Sequence, residues 1–337
     1  MAEEAKNVLG TVFRKGQGLG NRLFCYVSTR ALAENYGYTF ATGGRQFLDA
    51  DFLHLDLGEE VGDTAPYLSY EEKDERLYLP TAASDLTRGI DIRGTDEAML
   101  ELLRSHRQEK ILLSGNLQAE AYFGALRDEI CSWLLVDENL VDTSFGAEDL
   151  CILNVRGSEY ADSPELFLEK RYWTDAMALM RRENPSMRFC IITEDVEAAE
   201  KLLPGIPVHH GTPAEDYAAL HAARYLIVSN SSFAFFPVYT SRNVRKVIAP
   251  KYWARHNVSD GYWSTAQNIY SIFTYLDRKG RLFTADECRK ELAAYRVPET
   301  RKREENDPEV LRVKKRNGRK NLMNKALHKA ERMLHRS

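Results

Sequence analysis

Apolar and polar positions along the chain fall into short, regularly spaced blocks. Val8 to Phe13 is an apolar run suited to a buried strand. Leu23, Phe24, Val27, Ala31 and Leu32 then recur at helical spacing, and the pattern stops at Gly37, where a helix-ending glycine is expected. Tyr38 to Thr42 is a second strand and completes a β-α-β unit. Residues 43 to 107 are less regular, with a helix near Ala98 to Arg107, and Ile111-Leu112-Leu113 reads as a strand. The pattern turns polar from Asp137 to Asp149, which marks a boundary. Beyond it come a strand at Leu150 to Val155, a helix at Trp173 to Arg182, a strand at Arg188 to Thr193 and a helix at Val196 to Leu203. After a turn at Pro204 to Pro213 follow a helix at Ala214 to Ala223 and strands at Tyr225 to Val228 and Lys246 to Ala249. Strands alternating with helices predict α/β architecture with a parallel, doubly wound sheet. Ligands of such sheets sit beyond the carboxyl ends of the strands, where Arg156, Glu194 and Ser231 fall.

Composition narrows the class. At 337 residues, 44% hydrophobic and 28% charged, the chain is globular and long enough for two domains. No run approaches the roughly 20 apolar residues of a membrane span. Residues Met1 to Lys6 lack the basic-then-apolar layout of a secretory signal, and the five scattered cysteines read as reduced core thiols. Both point to a cytoplasmic protein without a metal cluster. The net charge of −4 is uneven: Pro308 to Ser337 holds ten Lys/Arg against Glu309 and Glu331, so this tail is +8 and the remainder −12. A basic end on an acidic body suits an anionic membrane surface, and the acidic body argues against nucleic acid.

Candidate chemistry sits at the turns. Ser229-Asn230-Ser231-Ser232-Phe233 follows a buried strand and opens a helical segment, presenting N–H groups and hydroxyls where phosphate is favoured; ordinary helix capping is the plainer reading. Gly16-Gln17-Gly18-Leu19-Gly20-Asn21 is a glycine-rich turn between strand and helix. It lacks the third glycine and the acidic strand end of a dinucleotide site. Arg156, just past the Leu150 to Val155 strand, offers a planar fork to two phosphate oxygens, or else a surface ion pair. Asp216 can accept two hydrogen bonds from the edge of guanine, or be a solvated helix residue.

Taken in series, these stretches resemble the bacterial α-1,2-fucosyltransferases, inverting enzymes that use GDP-fucose. Gly18-Leu19-Gly20-Asn21-Arg22-Leu23-Phe24-Cys25-Tyr26 is similar to the family's G-L-G-N-Q-M-F-Q-Y, and Gly115 to Phe123 to its G-Y-x-Q-S-E-x-Y-F. Asn154 to Tyr160 takes the place of H-x-R-R-G-D-Y, and Ile192-Thr193-Glu194-Asp195 that of F-S-D-D. Asp216 to Phe233 has the spacing of D-L-x-L-M-S…N-S-S-F, and Ala249 to Trp253 matches A-P-K-x-W.

The resemblance implies a GT-B-like fold of two Rossmann-like, doubly wound domains facing a cleft. These would be an acceptor-side domain over 1–145, a nucleotide-sugar domain over 146–296, and a basic tail with an amphipathic helix over 297–337. It implies no metal and no cofactor other than the GDP-sugar donor. Carried over by position, Arg156 binds the leaving diphosphate and Asp216 reads guanine. Gly18, Gly20, Asn21, Asn154, Glu194, Asn230, Ser231, Ser232 and Phe233 complete the donor site. Arg156, Asn21 and Glu159 are the catalytic candidates, Glu159 as the base.

This chain departs from the family pattern at Asn154, Gly157, Glu159, Arg22 and Phe235-Phe236, so one phosphate-site arginine is missing. Arg22, Arg14 or Lys15 are the replacements within reach in sequence. Another nucleotide-activated sugar, or a non-catalytic glycan- or nucleotide-binding role, therefore stays open. Tyr252-Trp253 and Tyr262-Trp263 are sugar-stacking candidates, with core packing the commoner role of such residues. Asn321 to Leu334 reads as a basic amphipathic helix. It suits an inner leaflet carrying a lipid-linked glycan acceptor, or equally a helix packed on its own domain or on a partner chain.

Overall fold

The computed structural model describes residues 7–73, 78–83, 92–161, 163–316, 318–319 and 322. The first part of the chain runs β1 (Val8–Val12), α1 (Leu19–Tyr36), β2 (Thr39–Gly43), β3 (Glu59–Glu60), β4 (Leu68–Glu71), α2 (Glu97–Ser105), β5 (Lys110–Ser114) and α3 (Arg127–Trp133). Its five strands lie in the order β3-β2-β1-β5-β4, every pair parallel. The second part runs β6 (Leu150–Asn154), α4 (Lys170–Glu183), β7 (Arg188–Ile192), α5 (Val196–Leu202), β8 (Val208–His209), α6 (Pro213–Ala222) and β9 (Tyr225–Val228). It continues through α7 (Phe235–Thr240), β10 (Lys246–Pro250), β11 (Thr274–Leu276), β12 (Leu282–Phe283) and α8 (Ala285–Ala294). Its sheet has the order β12-β11-β10-β9-β6-β7-β8, antiparallel only between β11 and β12.

Both sheets are doubly wound α/β sheets, as the alternating pattern predicts. In the second, the central pair β6 and β9 has onward connections that leave in opposite directions, β6 to β7 on one side and β9 to β10 on the other. A crevice opens beyond the carboxyl ends of such a pair.

Helix α1 explains how the two halves join. Its residues Arg22 to Thr29 are buried on every side, so no polar face points to water. It packs on β1 and β2 and also against the Ser232–Ala234 turn and α7 of the second half. Phe24 stacks on Phe235 at 4.8 Å between ring centres, lies 4.7 Å from Phe236, and Phe235 meets Tyr270 at 4.3 Å. One hydrophobic core therefore runs through both sheets. Gly37 closes the helix in the left-handed conformation, φ 68°, its N–H donating to the Ala33 carbonyl.

Candidate functional site

The crevice of the second sheet is built by the ends of β6 and β9. Asn154, the last residue of β6, is buried, and its carbonyl accepts the Ser229 N–H at 3.1 Å. Asn230 donates its side-chain N–H to the Leu166 carbonyl at 3.1 Å. The Asn154 Oδ1, Ser229 Oγ and Asn230 Oδ1 atoms are buried and have no hydrogen-bond partner among the described residues. Buried polar atoms are nearly always paired, so three orphans at one strand junction mark a place for a polar ligand. Carboxamides and hydroxyls both donate and accept, which suits a ligand rich in hydroxyls.

Arg156 follows β6 at the mouth of this crevice. Its guanidinium pairs with Glu194 at 2.7 Å and lies 5.6 Å from the centre of the Tyr160 ring. Glu194 also accepts the Gly157 N–H at 3.1 Å, and Asp195 accepts the Ser158 N–H at 2.7 Å. The two carboxylates beyond β7 thus pin the turn after Arg156, including Ser158 at φ 47°. At Gly157 a Cβ would stand 2.4 Å from the Asp195 Cβ, so no larger residue fits there. The backbone of Glu159 lies in the 3-10 turn Ser158–Tyr160, and its side chain lies outside the described residues.

Asp216 is set by the start of α6. Thr212 and Glu215 form a capping box and Pro213 supplies the first helical residue, which fixes Asp216 in the first turn. Its carboxylate is buried, accepts the Gly211 N–H at 3.0 Å and lies 3.8 Å from His209 Nε2. Burial pushes its pKa above the ordinary aspartate value, against the opposing pull of the Gly211 bond and His209. Sequence reasoning did not single out His209, whose ring also lies edge-on to Phe145 at 5.0 Å.

From the first sheet, the loops after β1 and β5 meet the second sheet. Gly20 lies in the first turn of α1, where a Cβ would stand 2.5 Å from the Ser232 carbonyl carbon and 2.6 Å from the Phe233 nitrogen. The glycine is required for backbone-to-backbone contact between the two motifs. Asn21 Oδ1 accepts from Gln118 Nε2 at 2.9 Å, and Gln118 Oε1 accepts from Asn268 Nδ2 at 2.9 Å. This chain of carboxamides crosses from one half to the other. Gly18 caps the start of α1, and a Cβ there would meet nothing within 4 Å, so open space surrounds it.

A residue that the sequence did not reveal holds the loop after β5. Glu72 is buried and accepts the Asn116 and Leu117 N–H groups at 3.1 and 2.7 Å, the Tyr122 hydroxyl at 2.8 Å and Gln267 Nε2 at 2.6 Å. Leu117 stands at φ 49° and Gly115 presses on the Glu72 Cβ. Nothing local in the sequence signals this, because Glu72 lies 44 residues from Asn116 and in an irregular segment.

Other expectations resolve differently. Ser231 caps the 3-10 turn Ser232–Ala234 by accepting the Phe233 N–H at 3.3 Å, and the α-helix behind it is only six residues long. The capping role thus belongs to Ser231, while Ser232 and Phe233 are half-buried beside it. Arg22 does not face the crevice chemistry as a spare cation: it is buried and pairs with Asp49 at 2.7 Å. Trp253, Tyr262 and Trp263 are buried, so they pack the core and do not present a sugar-stacking surface. Asn321 to Leu334 lies outside the described residues apart from Leu322. Among the described residues no helix is long and apolar enough to cross a membrane, and no group of His, Cys, Asp and Glu is placed to hold a metal ion. All five cysteines are free thiols.

No family model matches the chain, and no curated protein does. Among solved structures it is similar to POFUT1 in complex with GDP-fucose, at a TM-score of 0.45 and 10% identity over 74% of this chain and 98% of that one. It is similar to a glycosyl transferase family 9 protein from Veillonella parvula at 0.42 and 12%, over 88% and 99%. It is also similar to the fucosyltransferase NodZ from Bradyrhizobium at 0.39 and 15%, over 72% and 94%. These are loose likenesses of outline, and the chemistry of the crevice rests on the residues of this chain.

Proposed function

We propose that the protein is a glycosyltransferase whose donor is a GDP-sugar, with GDP-fucose as the first candidate, and whose acceptor is a glycan. The observation that carries this reading is the set of unpartnered polar groups on Asn154, Ser229 and Asn230, buried beside Arg156 at a switch point. In this reading the diphosphate lies at Arg156, competing with Glu194 for the guanidinium, and the Ser231-Ser232 turn borders it. Asp216 accepts hydrogen bonds from guanine. Asn21, held by Gln118, approaches from the α1 side, where Gly18 and Gly20 keep the backbone close. Asn154, Asn230 and Phe233 line the sugar end, and Glu159 takes the acceptor proton. Departure of GDP builds negative charge that pre-placed donors stabilise.

A second reading draws on Gly157. Its contact with Asp195 leaves no room for a second arginine, so this site offers less positive charge to a leaving diphosphate than the family pattern implies. A binding protein for nucleotides or glycans, or a transferase for another nucleotide-activated sugar, is compatible with that.

The test is a thermal-shift series with GDP, UDP and ADP, each with and without a chelator. The proposal expects a GDP-selective shift that the chelator leaves unchanged. Equal shifts with GDP and UDP, or loss of the GDP shift on chelation, would contradict it. GDP stabilisation without release of sugar from any GDP-sugar favours the binding reading. A location at an inner membrane leaflet, with a lipid-linked acceptor, rests on the +8 tail alone. Salt-sensitive co-sedimentation with anionic vesicles tests it.

A further inference from the structure

We infer that a second site, beside the donor crevice, binds a saccharide bearing an isolated acidic group, recognised by Arg255. A cavity of about 800 Å³ lies between the loop after β6, represented by Ser163, Glu165 and Leu166, and the loop after β10, represented by Ala254, Arg255 and Val258. Its remaining walls come from Tyr78 to Pro80, beyond the carboxyl end of β4, and from the segment 300–316. It thus lies along the same carboxyl edges of both sheets as the crevice, one strand away from β9. A pocket of this volume suits a short oligosaccharide.

The walls are built rather than loose. Asn257 donates to the Pro164 and Phe167 carbonyls, both at 2.7 Å, and Arg278 donates to the Asn257 carbonyl at 2.6 Å and the Ser259 carbonyl at 2.5 Å. Tyr252 and Trp253 stand consecutively at φ 68° and 49°, an unfavourable conformation for bulky side chains that the surrounding packing enforces. This kink sets the turn that carries Arg255.

Arg255 is 7% exposed, and its Nε is buried without a partner. Among the described residues its side chain makes no hydrogen bond and has no carboxylate within the 4 Å of an ion pair. Its guanidinium carbon lies over the face of the Tyr262 ring, 5.1 Å from the centre. Of the other cations of the wall, Arg301 pairs with Asp260, Lys302 with Glu299 and Arg303 with Glu309, while Arg316 is solvent-exposed. A buried, unpaired guanidinium is costly unless an anion completes it, and its fork matches a carboxylate or a phosphate. Glu165 and Asp260 lie near enough to act on Arg255 electrostatically, which disfavours a dense polyanion and favours a single acidic group.

Leu166 links the two sites. It lines the cavity, and its carbonyl holds Asn230 in the donor crevice. If the glycosyltransferase reading holds, on which this last step rests, the cavity is the acceptor side and the acceptor is an acidic glycan.

Calorimetric titration of the full chain tests the site without turnover. The probes are aldotetraouronic acid, neutral xylotetraose of equal length, a hexose phosphate and inorganic phosphate. The uronate or the hexose phosphate should bind at least tenfold more tightly than the neutral sugar and than inorganic phosphate. Whichever does so identifies the acidic group. Arg255→Gln should weaken that binding at least tenfold, and Val313→Trp, which narrows the cavity from the wall formed by the segment 300–316, should do the same. Should Arg255→Gln fail to fold, the Val313→Trp protein decides. Equal binding of acidic and neutral sugars, equal binding of inorganic phosphate, or wild-type affinity in the folded variants would overturn the site. A GDP thermal shift measured on the same samples separates the two ideas. Acidic-sugar binding without a GDP shift leaves this site standing and removes the donor reading, and a GDP shift without acidic-sugar binding does the reverse.

Discussion

Gly20 of α1 and Ser232 of the turn after β9 touch through their backbones, so closely that a Cβ on Gly20 would stand 2.5 Å from the Ser232 carbonyl carbon. Two motifs more than two hundred residues apart are therefore parts of one junction, and the junction joins the carboxyl end of β1 to the switch point of the second sheet.

Gly20→Ala forces that junction apart. Overpacking of this kind typically destabilises by about 1–3 kcal/mol. Gly18→Ala, two residues away in open space at φ −65°, should shift stability by no more than about 0.5 kcal/mol. Denaturant melts of the pair measure this. Similar losses in both variants would mean that the close approach does not exist in solution.

Arg156→Lys should lower turnover on the order of a hundredfold with the fold intact. A point charge cannot reproduce a two-pronged contact to leaving-group oxygens while also satisfying Glu194. Steady-state rates with a GDP-sugar, alongside a thermal melt, give the answer. Near-normal turnover would move the diphosphate elsewhere.

Asp216 yields a prediction in which stability and binding move in opposite directions. Burial raises its pKa in the folded state, so its protonated form is favoured there. Stability from this group is present at low pH and is lost as pH rises through the raised value, leaving a burial cost on the ionised group at neutral pH. Asp216→Asn keeps an oxygen for the Gly211 N–H, removes that cost, and should leave the ligand-free protein equally or more stable at neutral pH. The same change should weaken GDP binding by roughly 1–3 kcal/mol, the scale of a lost charged hydrogen-bond partner. Melts with and without GDP report both quantities, and a destabilised variant with unaltered GDP binding would refute the assignment.

Glu72→Gln replaces an oxygen that accepts hydrogen bonds with an amide that donates them. With four donors converging on Glu72, at least one is left facing another donor, a loss of about 1–3 kcal/mol. The loop carrying Gln118 should loosen with it. Reduced thermal stability together with faster amide exchange at Asn116 and Leu117 is the expected result, and unchanged exchange there would mean that Glu72 does not hold the loop.

The sequence carried the sheet strands that are buried on both faces, such as β1, β6 and β9, because their apolar runs need no partner to be read. It also carried the end of α1, since Gly37 has a local signature. The edge strands β3, β8 and β12 are two residues each, too short to leave a pattern. Arg156, Glu194, Asn154 and Asn230 were legible as residues at strand ends, and the topology brings them together. What could not be read was long-range pairing. Arg22 stood as one replacement for the missing phosphate-site arginine, but Asp49 pairs with it. The paired phenylalanines after Ser232-Phe233-Ala234 were readable only as a departure from the family pattern, and their role in the core appears once Phe24 stacks on Phe235. Glu72 and Arg255 have meaning only through residues distant in the chain.

The donor-site assignments all depend on a GDP-sugar occupying the crevice between β6 and β9. Hydrogen–deuterium exchange of the full chain with and without GDP-fucose locates binding directly. A donor bound there should slow exchange at the amides of 229–234, 155–158 and 18–21. Slowing confined to other segments, or no slowing at a concentration where GDP-fucose stabilises the protein, would place the donor elsewhere and overturn these assignments.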